Sequence, residues 1–182
     1  MNLPNIITII RILLVPLLVI FLLAGRYDLG LLVFVSAGLG DALDGFLARV
    51  LDQRTEFGAH LDPIADKLLL VTSCVTLAVL GRLPGWVAVV IVSRDIIILG
   101  GIGVLMLNGL SPGIRPTMLS KVTTFFQLVT VSFFMGKEFV TPLWHLRDQL
   151  IILVVSLTLL SGFQYLVMGS RLLGRKGKNY CR

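Results

Sequence analysis

The chain has 182 residues, of which 56% are hydrophobic and only 14% charged, with a mean hydropathy of +0.95 and a net charge of +6. An average soluble domain carries roughly 25% charged residues and leaves much of itself facing water, so a soluble globule is excluded, and a disordered chain with it. Two cysteines do not make a disulfide-stapled scaffold. What remains is an all-α integral membrane protein, and at about 20 residues per crossing the length holds six spans in one domain over 1–182.

The first apolar run covers 6–24 and carries Arg11 inside it with no basic residue ahead, unlike a signal peptide. Asn5, after Pro4, is its expected N-cap. The turn Gly25-Arg26-Tyr27-Asp28 leads to a second run over 29–50, whose end is full of charge. The knot Asp52-Gln53-Arg54-Thr55-Glu56 separates it from a third run over 58–80. Gly81-Arg82-Leu83-Pro84-Gly85 breaks the chain before a fourth run over 86–107, which contains Arg94 and Asp95. A polar connection precedes the fifth run, 117–136, and a short loop with Lys137, His145 and Arg147 precedes the sixth, 149–168.

The tail over 170–182 holds Arg171, Arg175, Lys176, Lys178 and Arg182, and reads as an anchor against anionic lipid headgroups. It does not read as a nucleic-acid site, because only Tyr180 interleaves with the charges. Six spans put both termini on one side, together with Arg54, Arg115 and the tail; the other side holds Arg26, Arg82, Lys137 and Arg147. That excess predicts cytoplasmic termini. No internal repeat is visible, and the spacing of Cys74 and Cys181 suggests neither a metal nor a disulfide.

The charges inside the apolar runs are the informative residues, since a carboxylate at a helix centre costs about 2.5 to 3.5 kcal/mol on insertion scales. Asp41 and Asp44 are i,i+3 and share a helix face; Asp62 and Asp66 are i,i+4 and share a face of the next helix. The short connection makes these helices antiparallel neighbours, with both pairs at the cytoplasmic end, so four carboxylates converge. Converging anions need cations. An all-oxygen site suits two divalent ions, Mg²⁺ or Mn²⁺, about 3.5 to 4 Å apart, with a phosphate clamped between them. Zinc fits less well, with His60 one position off the aspartate face. Gly45, Ala48 and Gly58 leave room for a ligand, and Arg49 offers a phosphate-binding fork. Taken singly, each aspartate fits a helix-end salt bridge equally well, for example Arg49 with Asp52; the whole constellation does not.

Asp-x-x-Asp-Gly-x-x-Ala-Arg, eight residues, then Gly-x-x-x-Asp-x-x-x-Asp runs from Asp41 to Asp66 and resembles the signature of the CDP-alcohol phosphotransferases at every position. The resemblance implies a homodimeric six-helix enzyme with a polar cavity open to the cytoplasm. Such an enzyme takes CDP-diacylglycerol, passes the phosphatidyl group to an alcohol and releases CMP. By that likeness Asp41, Asp44, Asp62 and Asp66 hold the divalent ions, and Asp66 doubles as the base for the acceptor hydroxyl. Gly45, Ala48, Arg49 and Gly58 receive the cytidine diphosphate. Asn5, Thr8 and Arg11 recur every three residues and are expected to line the same cavity, with Asn5 and Thr8 beside the nucleotide.

The acceptor pocket is assigned to Arg94, Arg115 and Lys121, basic residues in or beside the fourth and fifth spans. Arg94 alternatively serves a structural pair with one of the clustered aspartates, and Asp95 is a partner for Lys121. Lys67 follows Asp66 directly and reaches toward the interface. The first eleven residues resemble the glycerophospholipid branch. Ser93-Arg94-Asp95, Arg115-Pro116-Thr117, Ser120-Lys121-Val122 with Thr124, and Gln127-Leu128 look closer to cardiolipin synthases, implying phosphatidylglycerol as acceptor. Phosphatidylglycerophosphate synthase, with glycerol-3-phosphate, is the alternative. A proton- or cation-coupled carrier is a reading of another class, but the single acid cluster at one membrane face has no second-half counterpart. A non-catalytic assembly protein, packing through Ser36 and Gly40, is a third.

Overall fold

The structure, a computed structural model, describes residues 3–50, 56–107 and 117–180, with side chains over 9–40, 65–101, 103 and 117–170. The described residues form six α-helices and no strand: α1 Leu3–Leu23, α2 Tyr27–Val50, α3 Glu56–Val79, α4 Gly85–Leu107, α5 Met118–Met135 and α6 Arg147–Tyr180. They sit on the six apolar runs. Three local expectations change. First, α1 starts at Leu3, so Asn5 lies inside its first turn instead of capping it. Pro4 is tolerated there because an N–H in the first turn has no helical partner. Second, a 3-10 helix, Thr141–Leu146, occupies the loop before α6. Third, α6 continues to Tyr180, so the basic stretch from Arg171 extends a helix of 34 residues.

Two turns share one construction. Arg26 N–H donates to Phe21 O at 2.9 Å and Gly25 N–H to Leu22 O at 3.1 Å; Arg82 N–H donates to Leu77 O at 2.9 Å and Gly81 N–H to Ala78 O at 3.1 Å. These are paired Schellman bonds, which require a left-handed residue, and Gly25 and Gly81 have φ of 72° and 69°. The Gly25 stop lets α2 begin at Tyr27, two residues earlier than the apolar pattern suggests.

The chain forms two compact units, Met1–Ala88 with Leu128–His145, and Val89–Gln127 with Leu146–Arg182. In the first, α1 packs on α2 and α3. Its buried stripe is Arg11, Leu18 and Leu22, at i, i+7 and i+11, while Leu13, Ile20 and Leu23 point outward. On α3, Ser73 and Thr76 are buried and donate to Leu69 O and Thr72 O at 2.6 and 2.7 Å, while Leu68, Val75 and Val79 are exposed. The second unit repeats the inversion: Thr123, Gln127, Thr158 and Ser161 are buried, and Phe125, Ile152, Leu159 and Phe163 face out. Polar residues buried beside an apolar core, with many large apolar residues outside, depart from the arrangement that water imposes. Among the described residues, Met118–Met135 and Thr141–Ser170 are long and apolar enough to cross a membrane.

The loops of the first unit are tied by charge and aromatic contacts. The Arg82 guanidinium lies 3.4 Å from the centroid of the Tyr27 ring and donates to both oxygens of Glu138, one bond being 3.1 Å. Phe133 and Trp144 stack with centroids 5.5 Å apart, and Lys137 Nζ lies 5.0 Å from the Trp144 ring. The hydrogen bond from Arg82 holds the Glu138 carboxyl below the ordinary carboxylate range. A depressed folded-state pKa adds stability above the unfolded value, and this is lost as pH falls through the folded value. The wild type is therefore expected to melt above Glu138→Gln at neutral pH, with the gap closing as pH drops below about 4.3. A gap unchanged under strongly acidic conditions contradicts this coupling.

Candidate functional site

The aspartate motif is divided between two neighbouring helices of the first unit. Asp41, Asp44, Gly45, Ala48 and Arg49 lie in the C-terminal part of α2, and Gly58, Asp62 and Asp66 lie in the N-terminal half of α3. The backbone thus keeps the i,i+3 and i,i+4 spacings on helices that touch. The side chains of Asp41, Asp44, Gly45, Ala48, Arg49, Gly58 and Asp62, and of Asn5 and Thr8 on α1, lie outside the described residues, as does Arg115 altogether.

Asp66 is described, and its surroundings hold a contact that spacing alone does not reveal. Arg11 Nη1 donates to Asp66 Oδ1 at 2.6 Å, joining α1 to α3 across 55 positions of sequence. The two ends differ in environment: the Arg11 side chain is 2% exposed and that of Asp66 43%. The three-residue spacing with Asn5 and Thr8 singled out Arg11 but did not reveal its partner. The available signal was the buried stripe itself, since an arginine on the inward face of an apolar helix requires an acid.

In the second unit Arg94 is buried and makes a three-way knot. Nη1 pairs with Asp95 Oδ1 at 2.7 Å, and Nη2 donates to Ser120 Oγ at 2.6 Å and Ser161 Oγ at 2.8 Å. The guanidinium therefore ties α4 to α5 and α6. The expected Asp95–Lys121 pair is replaced by this one: Lys121 is exposed, and the arginine beside Asp95 on α4 reaches its carboxylate. Arg94 Nε is buried with no acceptor among the described residues. The same seam continues with Thr123 Oγ1 donating to Leu157 O at 3.3 Å and Gln127 Nε2 to Thr158 Oγ1 at 3.1 Å.

The donor set of the motif is all carboxylate, which suits a hard divalent cation better than zinc. Asp66 fits such a role in part, being half-exposed with one oxygen anchored to a guanidinium. Among the described residues no three metal-ligating side chains are gathered, and three of the four aspartates fall outside that set.

The knot supports a stability prediction. Arg94→Met removes the Nη1 partner of the buried Asp95 carboxylate and is expected to destabilise the protein by about 3 to 5 kcal/mol. Ser161→Ala removes one hydroxyl acceptor and is expected to cost about 1 to 3 kcal/mol. Unfolding in detergent micelles measures both, and equal small losses for the two variants contradict the knot.

A model of the CDP-alcohol phosphatidyltransferase family matches residues 1–163. A probable phosphatidylglycerophosphate synthase of Mycobacterium tuberculosis is 35% identical over 180 residues, covering 95% of this chain and 84% of that protein. The CDP-diacylglycerol–glycerol-3-phosphate 3-phosphatidyltransferase of Bacillus subtilis is 33% identical over 181 residues, covering 90% of this chain and 93% of the relative. A probable cardiolipin synthase (CMP-forming) of Drosophila melanogaster is 34% identical over 165 residues, 82% of this chain and 50% of the relative. With the motif intact from Asp41 to Asp66 and the match running through nearly the whole chain, this protein belongs to the CDP-alcohol phosphatidyltransferase family.

Proposed function

We propose that the chain transfers the phosphatidyl group of CDP-diacylglycerol to phosphatidylglycerol, yielding cardiolipin and CMP. It does so as one membrane domain over 1–182 that crosses the bilayer six times. The observation behind this reading is the placement of the aspartate motif on the touching helices α2 and α3, with Asp66 tied to the buried Arg11. The outward apolar faces and buried polar seams support residence in lipid. The excess of basic residues on the side of the tail supports cytoplasmic termini and a cytoplasmic active site. The homodimer is proposed from the family likeness.

The acceptor assignment rests on Ser93-Arg94-Asp95, Arg115-Pro116-Thr117 and Ser120-Lys121-Val122, which resemble cardiolipin synthases. Glycerol-3-phosphate is the second reading. The bacterial relatives named for phosphatidylglycerophosphate or glycerol-3-phosphate chemistry are covered over 84% and 93% of their length, against 50% for the Drosophila cardiolipin synthase.

Members of the family generally use divalent metal ions. Asp41, Asp44, Asp62 and Asp66 are the residues to hold them. When bound, such ions neutralise charge on the diphosphate and on the departing CMP. The chain's own groups do the rest. Gly45, Ala48 and Gly58 leave space for the cytidine diphosphate, Asn5 and Thr8 border it, and Arg49 pairs with its phosphate. Asp66 accepts the proton of the acceptor hydroxyl as that oxygen bonds to the phosphorus bearing the diacylglycerol. The bond from this phosphorus to the bridging oxygen breaks, and CMP leaves with that oxygen. Lys121 and Arg115 attract the acceptor's phosphate. The Nε–H of Arg94, without an acceptor among the described residues, supports a contribution from that residue too.

The test is CMP release by purified protein given CDP-diacylglycerol, Mg²⁺ and a panel of alcohols. Turnover with phosphatidylglycerol supports the first reading, turnover with glycerol-3-phosphate only supports the second, and no turnover with either rejects both. Asp66→Asn is expected to lower kcat by about 10² to 10⁴-fold. Lys121→Gln is expected to raise the acceptor's KM about 10-fold while leaving that of CDP-diacylglycerol in place. Equal shifts in both KM values reject the acceptor pocket.

A further inference from the structure

We infer that Arg11 is the positioning residue for Asp66, fixing the direction in which that carboxylate meets the reacting hydroxyl. This rests on the reading of Asp66 as the group that takes the acceptor's proton.

Burial and geometry argue for it together. Arg11 occupies the inward stripe of α1 with Leu18 and Leu22, where an aliphatic side chain would pack without cost. A sealed guanidinium instead carries a desolvation penalty that only a well-placed anion offsets. The partner is far less enclosed, because the Asp66 side chain is 43% exposed. A pair that served only to hold the helices together would enclose both partners, whereas here the carboxylate is left 43% exposed. What a 2.6 Å charge-assisted bond to Oδ1 does accomplish is orientation. It restricts the Asp66 side chain and biases the direction of its carboxylate. The buried Arg11 guanidinium is also a permanent cation. It holds Asp66 in place whether or not diffusible ions are bound.

The test uses the full-length protein and compares Arg11→Met, Arg11→Lys, Asp66→Asn and the double variant Arg11→Met/Asp66→Asn. The readouts are kcat, the KM for CDP-diacylglycerol and the thermal midpoint. Misplacing a reacting group by about 1 Å costs roughly 100-fold in rate, so Arg11→Met is expected to lose about that factor in kcat with KM changed less than about 3-fold. Arg11→Lys keeps the charge but not the planar fork and is expected to recover part of the loss. The double variant is expected to be no slower than Asp66→Asn alone, because an arginine that acts through Asp66 has nothing left to orient.

Wild-type kcat in Arg11→Met, or a loss confined to KM, overturns the inference. So does a double variant much slower than Asp66→Asn. If Arg11→Met does not fold, Arg11→Lys decides: reduced kcat at unchanged KM supports positioning, and wild-type kcat overturns it. Asp66→Asn separates the two levels of the account. An unaltered rate there removes the Asp66 reading itself, whereas a slow Asp66→Asn beside a fast Arg11→Met removes only the positioning role.

Discussion

Arg11 and Asp66 state the constraint under which the rest of the chain is organised: a charge inside an apolar bundle must find its counter-charge within hydrogen-bond reach. The penalty for leaving it alone is several kcal/mol, comparable with the whole stability of a small domain. Arg11 meets the requirement through Asp66 and Arg94 through Asp95. In each compact unit the buried arginine sits in an interior that also holds hydroxyls bonded to carbonyls one turn back, such as Ser73 to Leu69 O and Thr158 to Val154 O. Many further leucines, isoleucines and phenylalanines form the outer surface. That inversion is what a lipid solvent permits, and it brings polar chemistry to the inside of the units, where a reaction can be shielded.

The two pairs differ in exposure. Arg94 and Asp95 are both 5% exposed, and Nη2 of the arginine is further bonded to two serines; this is a structural knot whose Nε alone lacks an acceptor among the described residues. Arg11 is as deeply buried, but its carboxylate partner is half-open. A carboxylate bonded through one oxygen and 43% exposed is compatible with the proposed role of taking a proton from a bound alcohol. The Arg82–Tyr27–Glu138 contact and the glycine-stopped turns fix the loops of the first unit.

Much of this was legible in the sequence, because its strongest signals are local. Apolar run length located six helices, and the Gly25 and Gly81 breaks were visible as turns, since the Schellman stop needs a left-handed residue. The spacing of Asp41, Asp44, Asp62 and Asp66 is enough by itself to point to the family, and the family decides for a transferase over a carrier or an assembly protein. Asn5 as a cap failed because a proline in the first turn allows a helix to start earlier. Asp95 was assigned to Lys121 because adjacent helix positions point apart; a long arginine side chain folds back across that angle and reaches its neighbour. The Arg11–Asp66 pair lies 55 positions apart, and no local pattern encodes a contact at that distance. The 3-10 helix over Thr141–Leu146 was missed since six residues are too few to show a period.

The central claim is that the four acids of α2 and α3 form one charge-balanced centre able to hold divalent ions against a nucleotide diphosphate. Titration of Mn²⁺ into the protein with CDP present, followed by the loss of the free-ion magnetic resonance signal, addresses it without relying on turnover. The account predicts about two ions bound per chain in the wild type and none in the Asp41→Asn/Asp62→Asn variant at the same concentrations. Equal binding by the two proteins, or no binding by the wild type, contradicts it.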